Sequence, residues 1–175
     1  QSELFSKQFG YSYELNYINN PDFSDGLAYW KAVPASENSI SVGEIPGYGR
    51  LRGLNSQASD GDKFVILENS RLSPNSLSQS ISNLVPGKVY CVKIYTADFQ
   101  GFTSANPGSK NHDIKLEIIG GKMLPDRHNV KSYTSLATYD KRYGKQSKIS
   151  DEQYFNFHEW FFVAKNRESK LVITD

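Results

Sequence analysis

Residues 77–99, LSQSISNLVPGKVYCVKIYTADF, decide the fold expected for the chain. In 77–81, Leu, Gln and Ile alternate with serine, and this two-residue repeat predicts a strand with one face toward the core and one toward water. The following Pro86-Gly87 pair favours a turn, because proline fixes φ and glycine accepts positive φ. Residues 88–96 are rich in β-branched and aromatic side chains, which predicts a second strand covered on most of both faces. These two strands would form the centre of the core, and the pattern leaves open whether they pair or lie in opposite sheets.

Segments with a strand-like pattern also occur before and after these two strands. The composition favours strands over helices, since the chain has 11 Tyr, 10 Phe, 13 Gly and 7 Pro but one Met. Together with the turn residues between them, the segments indicate one all-β domain over 1–175, an antiparallel β-sandwich of jelly-roll type. The nine predicted strands are 12–18, 28–33, 39–44, 63–68, 77–81, 88–96, 113–119, 159–164 and 170–174.

Three further segments are predicted to be long and irregular: 45–62, 100–112 and 122–157. Loops of this length inside a compact domain are uncommon, and they are usually functional when ordered. The third segment carries several tyrosines and is expected to form an aromatic-rich loop insertion. Ligand contacts are therefore expected in the loops.

Charge and hydropathy exclude some function classes. The 20 Lys and Arg balance 19 Asp and Glu without a basic block, which argues against nucleic acid as a partner. No run approaches the roughly 20 apolar residues that cross a bilayer. The start at Gln1, without methionine or a leader, favours an exported protein, extracellular or periplasmic. The single cysteine, Cys91, falls in the second central strand and is expected to be a small buried hydrophobe.

Several short motifs resemble those of carbohydrate-binding modules with the galactose-binding-domain-like β-sandwich. Residues 19–30, NNPDFSDGLAYW, resemble the family's Asn-x-x-Phe-Glu-x-Gly segment and the Trp that follows it. Further pieces come in the family's order, at 60–66, 77–81, 86–90, 160–164 and 171–175. The resemblance implies non-catalytic binding of a polysaccharide or oligosaccharide within an exported glycan-degrading system, with a linked catalytic domain as a partner. The sequence departs from the family at Ser24, where the family has Glu, and in the length of 122–157.

The resemblance also implies a structural Ca²⁺. Carried over to this sequence, its ligands would be Ser24 or Asp25, the turn of Asp60 and Asp62, and Asp175. Calcium takes roughly six to eight oxygen ligands, which clustered carboxylates and carbonyls supply. The alternative is that these acidic residues are ordinary turn residues that bond their own backbone.

Candidate sugar contacts combine aromatic faces with polar donors. The aromatic candidates in the predicted loops are Tyr48, Phe99, Phe102, Tyr133, Tyr139 and Tyr143. The polar candidates are Arg50, Arg52, Asn106, His112 and Arg127, and the arginine fork suits a carboxylated or sulfated sugar. The alternative for each tyrosine is that it packs under its own loop. Trp30 and Trp160 lie in predicted strands and are expected in the core.

The sequence lacks the common catalytic motifs, so it gives no support to an enzyme. The sequence has no Gly-x-Ser-x-Gly, phosphate loop, His-Glu-x-x-His or cysteine pair. Residues 139–146 only partly match the Tyr-x-Lys-x-Gly-x-Tyr-x-Gln strand of one group of jelly-roll lyases, and the accompanying strands are missing. His112, His128 and His158 are too scattered to indicate zinc. A protein-interaction or structural domain, and a lyase or hydrolase, stay open as alternatives.

Overall fold

In the part of the chain that the structure describes, the regular structure is almost entirely β. A computed structural model describes residues 17–45, 62–103, 108–136 and 152–175. Within these ranges the strands are β1 (Lys31–Val33), β2 (Ile40–Glu44), β3 (Lys63–Leu67), β4 (Ser76–Ile81), β5 (Val89–Ala97), β6 (Lys115–Ile119), β7 (Gly121–Met123), β8 (Asn129–Leu136), β9 (Glu152–Ala164) and β10 (Ser169–Thr174). The helical elements are the short helix α1 (Gln100–Thr103) and a 3₁₀ turn (Pro125–Arg127). The prediction of an all-β fold is confirmed.

The strands of the described ranges form three antiparallel sheets. The first sheet has the order β1-β4-β10-β6, and a separate two-stranded sheet contains β2 and β3. In the second sheet β5 pairs with one edge of β9, while β7 and β8 pair with successive parts of its other edge. The two central strands predicted from the sequence, β4 and β5, therefore lie in different sheets.

One hydrophobic cluster joins the first and second sheets. Leu77 of β4 and Leu171 of β10 meet Trp160 and Phe162 of β9 in this cluster. Leu77, Leu171 and Phe162 are each 1% exposed, because alternate residues of their strands point to the same side. Burying one such side chain contributes about 1.5–3 kcal/mol, so the shared cluster is a main source of stability. Trp160 lies in the core as predicted, and Trp30 is partly buried against it.

The prediction that 122–157 is one long loop is wrong. The described part of this segment forms most of β7, all of β8 and the first part of β9. In that part of β9 the buried side chains Asn156 and His158 are polar, whereas Phe157 on the opposite face is partly exposed. Phe155, on the same face as Phe157, is fully buried as well, so this part of β9 lacks the usual alternation and the strand pattern was not recognised.

Other predicted strands need smaller corrections. Residues 17 and 18 are not part of a strand, and the rest of predicted strand 12–18 lies outside the described residues. Residues 28 and 29 belong to a turn, so the strand predicted over 28–33 begins at Lys31. The turn at Pro86-Gly87 is confirmed, since Gly87 has φ of 84° and the Lys88 amide donates to the Val85 carbonyl at 3.1 Å.

The prediction for Cys91 is also wrong, because its side chain is exposed. One face of β5 points to solvent, with Val89 49% and Tyr95 37% exposed. The β-rich composition of this strand suggested cover on both faces, but only the face that carries Val92 is buried. Across the described ranges, no helix has the length and hydrophobicity needed to span a bilayer.

Candidate functional site

A cleft of about 1150 Å³ lies between β3 and β5. In the described ranges β3 pairs only with β2 and β5 pairs only with β9, so no strand pairing joins them. Leu171 and Ile173 of the first sheet also line the cleft, which therefore reaches the hydrophobic core. A concave site with an apolar interior and a few polar groups is the usual setting for a small-molecule or oligomer ligand.

Two phenylalanines meet across the cleft. The ring centroids of Phe64 on β3 and Phe99, just after β5, are 5.9 Å apart, with an angle of 49° between the rings. Phe99 is 38% exposed. Such a ring offers a flat apolar face with negative potential, suited to the C–H groups of a sugar ring.

Gly43 explains why the Phe64 ring can lie where it does. Gly43 of β2 is the register partner of Phe64. A Cβ at position 43 would lie 2.7 Å from Cε2 of Phe64, too close for any other residue without a shift of the ring. The ring therefore packs over the glycine, an arrangement that also compensates for the missing side chain.

Tyr95 extends the aromatic lining onto the exposed face of the second sheet. Its ring lies 4.8 Å from that of Phe157, and the residue also lines the cleft. Lys93 Nζ lies 5.8 Å from the Phe157 ring centroid and 3.7 Å from Glu159 Oε1. Sequence reasoning missed Tyr95 and Phe64 because it placed both in strands and searched for ligand contacts in loops. The charged Lys93, two residues before Tyr95, was the sequence signal that this face of β5 points to solvent, because side chains alternate between the two faces of a strand.

A line of polar side chains fixes the end of the cleft that contains His112. His112 Nε2 lies 2.9 Å from the Ser109 carbonyl, which can only accept, so this nitrogen carries the proton. In the neutral imidazole Nδ1 then accepts from the Thr96 hydroxyl at 3.1 Å. Thr96 Oγ1 in turn accepts from Nε2 of His158 at 3.0 Å. The hydrogen bonds thus fix one tautomer for each ring.

His158 ends this line as a buried, neutral residue. Its Nδ1 has no hydrogen-bond partner within the described part of the chain. Burial, together with the nearby His128 and His112, lowers the pKa of His158 from 6.5 to about 4, against an opposing effect of Asp113. At neutral pH this ring is uncharged, which suits a structural role.

Asn156 ties the segment before β6 to the second sheet. Its side-chain oxygen accepts from the His112 amide at 2.9 Å, and its Nδ2 donates to the Lys110 carbonyl at 2.9 Å and to Ser132 Oγ at 3.1 Å. Asn156 is 1% exposed, so these bonds form away from water. They hold His112 and its neighbours at the cleft.

The residues expected to bind calcium have other partners in the structure. Asn75 donates to both carboxylate oxygens of Asp175, from its backbone amide and from Nδ2, each at 2.7 Å. The Ser24 carbonyl accepts from Lys63 Nζ at 2.8 Å, and its hydroxyl donates to Asp22. Asp25 is exposed, Asp62 is buried, and Asp60 lies outside the described residues. Among the residues that the structure describes, no three metal-binding side chains converge, and calcium binding stays a prediction.

The structure brings together only part of the predicted sugar site. Phe99 and His112 both line the cleft. Phe102 lies in α1, Tyr133 lies on β8, and the exposed Arg127 ends the 3₁₀ turn away from the cleft lining. The other candidates lie outside the described residues: Tyr48, Arg50, Arg52, Asn106, Tyr139 and Tyr143.

The site can hold a ligand by stacking and by hydrogen bonds. Its aromatic faces come from Phe64, Phe99 and Tyr95, and its polar groups from the ends of β3 and β5. Comparison of the chain with protein-family models, curated proteins and solved structures found no match. The resemblance to carbohydrate-binding modules therefore rests on the sequence motifs alone.

Proposed function

We propose that the chain binds a polysaccharide or oligosaccharide in the cleft between β3 and β5. It would act without catalysis, as an exported module that keeps glycan close to an enzyme or a cell surface. The observation that carries the proposal is the partly exposed Phe64 and Phe99 pair inside a cleft that reaches the core. Aromatic faces for stacking beside hydrogen-bonding groups are what recognition of a sugar requires.

The proposal includes a β-sandwich of jelly-roll type, related to the galactose-binding-domain-like modules. The hydrophobic cluster shared by the first and second sheets supports this arrangement, since two packed sheets bury their inner faces against each other. The motifs at 19–30 and 86–90 support the relation to the family. A structural calcium ion and export from the cytoplasm belong to the same proposal.

Affinity electrophoresis through gels that contain single polysaccharides tests the function. We expect at least one plant, algal or host polysaccharide to retard the protein, and Phe99→Ala to weaken the retardation about tenfold in apparent affinity, as expected for loss of one stacking face. Tyr29→Ala is the matched control, because Tyr29 is 69% exposed and does not line the cleft. Unretarded migration in every gel, or equal effects of the two variants, would contradict the proposal.

A protein-interaction role is the second candidate, and one observation favours it. The solvent face of the second sheet exposes Val89, Cys91 and Tyr95 beside Phe157, which gives an apolar strip. Exposed apolar surface of this kind is typical of contacts between proteins. A partner on this strip would protect Cys91 from thiol reagents, whereas a glycan in the cleft would leave its reactivity unchanged.

A further inference from the structure

The charged side chains of the cleft are mostly acidic. Two lysines line it, Lys63 and Lys93. The carboxylates that line it are Asp22, Glu68, Asp98, Asp113 and Asp175. The described lining thus carries more negative than positive groups, although the whole chain has a net charge of +1.

Both lysines are already engaged within the protein. Lys63 Nζ donates to the Ser24 carbonyl at 2.8 Å. Lys93 forms an ion pair with Glu159 at 3.7 Å. An acidic ligand would therefore have to compete with existing contacts for each of these cations.

Two of the carboxylates remain open to a ligand. Glu68 and Asp113 are exposed, and neither carboxylate makes a hydrogen bond or ion pair with any described residue. The backbone at both residues is held by hydrogen bonds. The Glu68 amide donates to the Ser39 carbonyl, and the Glu68 carbonyl accepts from Asn75 Nδ2. Asp113 directly follows His112, whose amide donates to Asn156. The cleft therefore presents two negatively charged hydrogen-bond acceptors on a backbone that is held in place.

We infer, on the basis of the proposed glycan binding, that the cleft selects glycans without acidic groups and binds amino-sugar glycans most tightly. A uronate or sulfate would meet like charges, which opposes binding, whereas an ammonium group would pair with Glu68 or Asp113. The inference replaces the expectation of a carboxylated or sulfated sugar. Arg127 does not line the cleft, and Arg50 and Arg52 lie outside the described residues.

Calorimetric titration with three hexasaccharides of similar shape tests this inference. The ligands are β-1,4-linked glucosamine, its N-acetylated neutral form and a β-1,4-linked uronate, in slightly acidic buffer at low and at raised salt. We expect the amino form to bind most tightly and the uronate to bind least. Raised salt should weaken binding of the amino form more than that of the neutral form, because it screens the charges.

Charge variants show whether the cleft carboxylates cause this order of affinities among the three hexasaccharides. The double variant Glu68→Gln and Asp113→Asn should lose about two- to fivefold in affinity for the amino form and keep its affinity for the neutral form. Glu37→Gln is the control, because Glu37 is exposed and does not line the cleft. Equal effects of the cleft and control variants, or uronate binding as tight as that of the neutral form, would overturn the inference and leave the glycan function intact. If no hexasaccharide binds, the inference is overturned, and the affinity gels decide the proposed function separately.

Discussion

Lowering the pH from 7 to 5 is expected to weaken the fold through His158. The pKa of this residue is 6.5 in the unfolded chain and about 4 in the fold, chiefly because of burial. The unfolded chain therefore binds the proton more readily. The contribution of His158 to the free energy of unfolding is complete above about pH 6.5. It decreases as the pH falls and no longer changes below about pH 4.

The expected size follows from the two pKa values. With these two pKa values, the free energy of unfolding would fall by about 2 kcal/mol between pH 7 and pH 5. Screening by solvent reduces the expected loss to about 1–2 kcal/mol. A domain of this kind has about 5–15 kcal/mol of stability, so the change is measurable. Urea unfolding followed by tryptophan fluorescence provides the assay, with Trp160 in the core as reporter.

Variants separate His158 from other titrating groups. His158→Gln should remove about 1–2 kcal/mol of the pH dependence between pH 7 and pH 5, since the buried titrating ring is gone. His128→Gln should keep most of it, because burial contributes more than His128 to the lowered pKa. An equal pH dependence in wild type and His158→Gln would refute the reasoning.

Three further predictions concern stability, the cleft and reactivity. Asn75→Ala should lower the free energy of unfolding by about 2–4 kcal/mol in urea titrations, because Asn75 is buried and Asp175 loses a side-chain donor; a loss under about 1 kcal/mol would contradict this. Gly43→Ala should weaken glycan retardation in affinity gels with little loss of stability, since the new Cβ displaces the Phe64 ring; unchanged retardation would count against the assigned site. Native Cys91 should react fully with a maleimide but more slowly than free cysteine, since partial desolvation of the thiol and the nearby Glu159 carboxylate raise its pKa; no reaction before unfolding would show that it is covered.

Local patterns were sufficient where strands follow the usual alternation. β10 alternates buried and more exposed residues, whereas β4 buries Leu77, Ser78 and Gln79 in succession although its sequence alternates; both strands were predicted within a residue of their ends. β8 was missed because its described side chains, residues 129–132, are all exposed, and the first part of β9 was missed because its buried Asn156 and His158 are polar. Their burial depends on partners from other segments, such as Thr96 and Ser132, which a local pattern does not reveal.

Sequence analysis predicted only those site residues whose own type, an aromatic ring or a polar donor in a predicted loop, indicated ligand contact. Phe99 and His112 were identified as a loop aromatic and a donor, and both line the cleft. The contact of Phe64 with Gly43 depends on the pairing of β2 with β3, and no local pattern specifies that pairing. The acidic character of the cleft combines residues distant in sequence, such as Glu68 and Asp113, so it emerges only from the fold.

Amide chemical-shift mapping on ¹⁵N-labelled protein tests the glycan-binding cleft most directly. Titration with the neutral hexasaccharide is predicted to shift the amide signals of Lys63–Leu67 and of residues 92–100, on the two sides of the cleft. The amides of the 3₁₀ turn Pro125–Arg127 should stay unchanged, as this turn does not line the cleft. Shifts confined to that turn or to Val89 and Cys91 on the solvent face of the second sheet, or no shifts with a glycan that retards the protein in the gels, would contradict the assignment of this cleft as a glycan site.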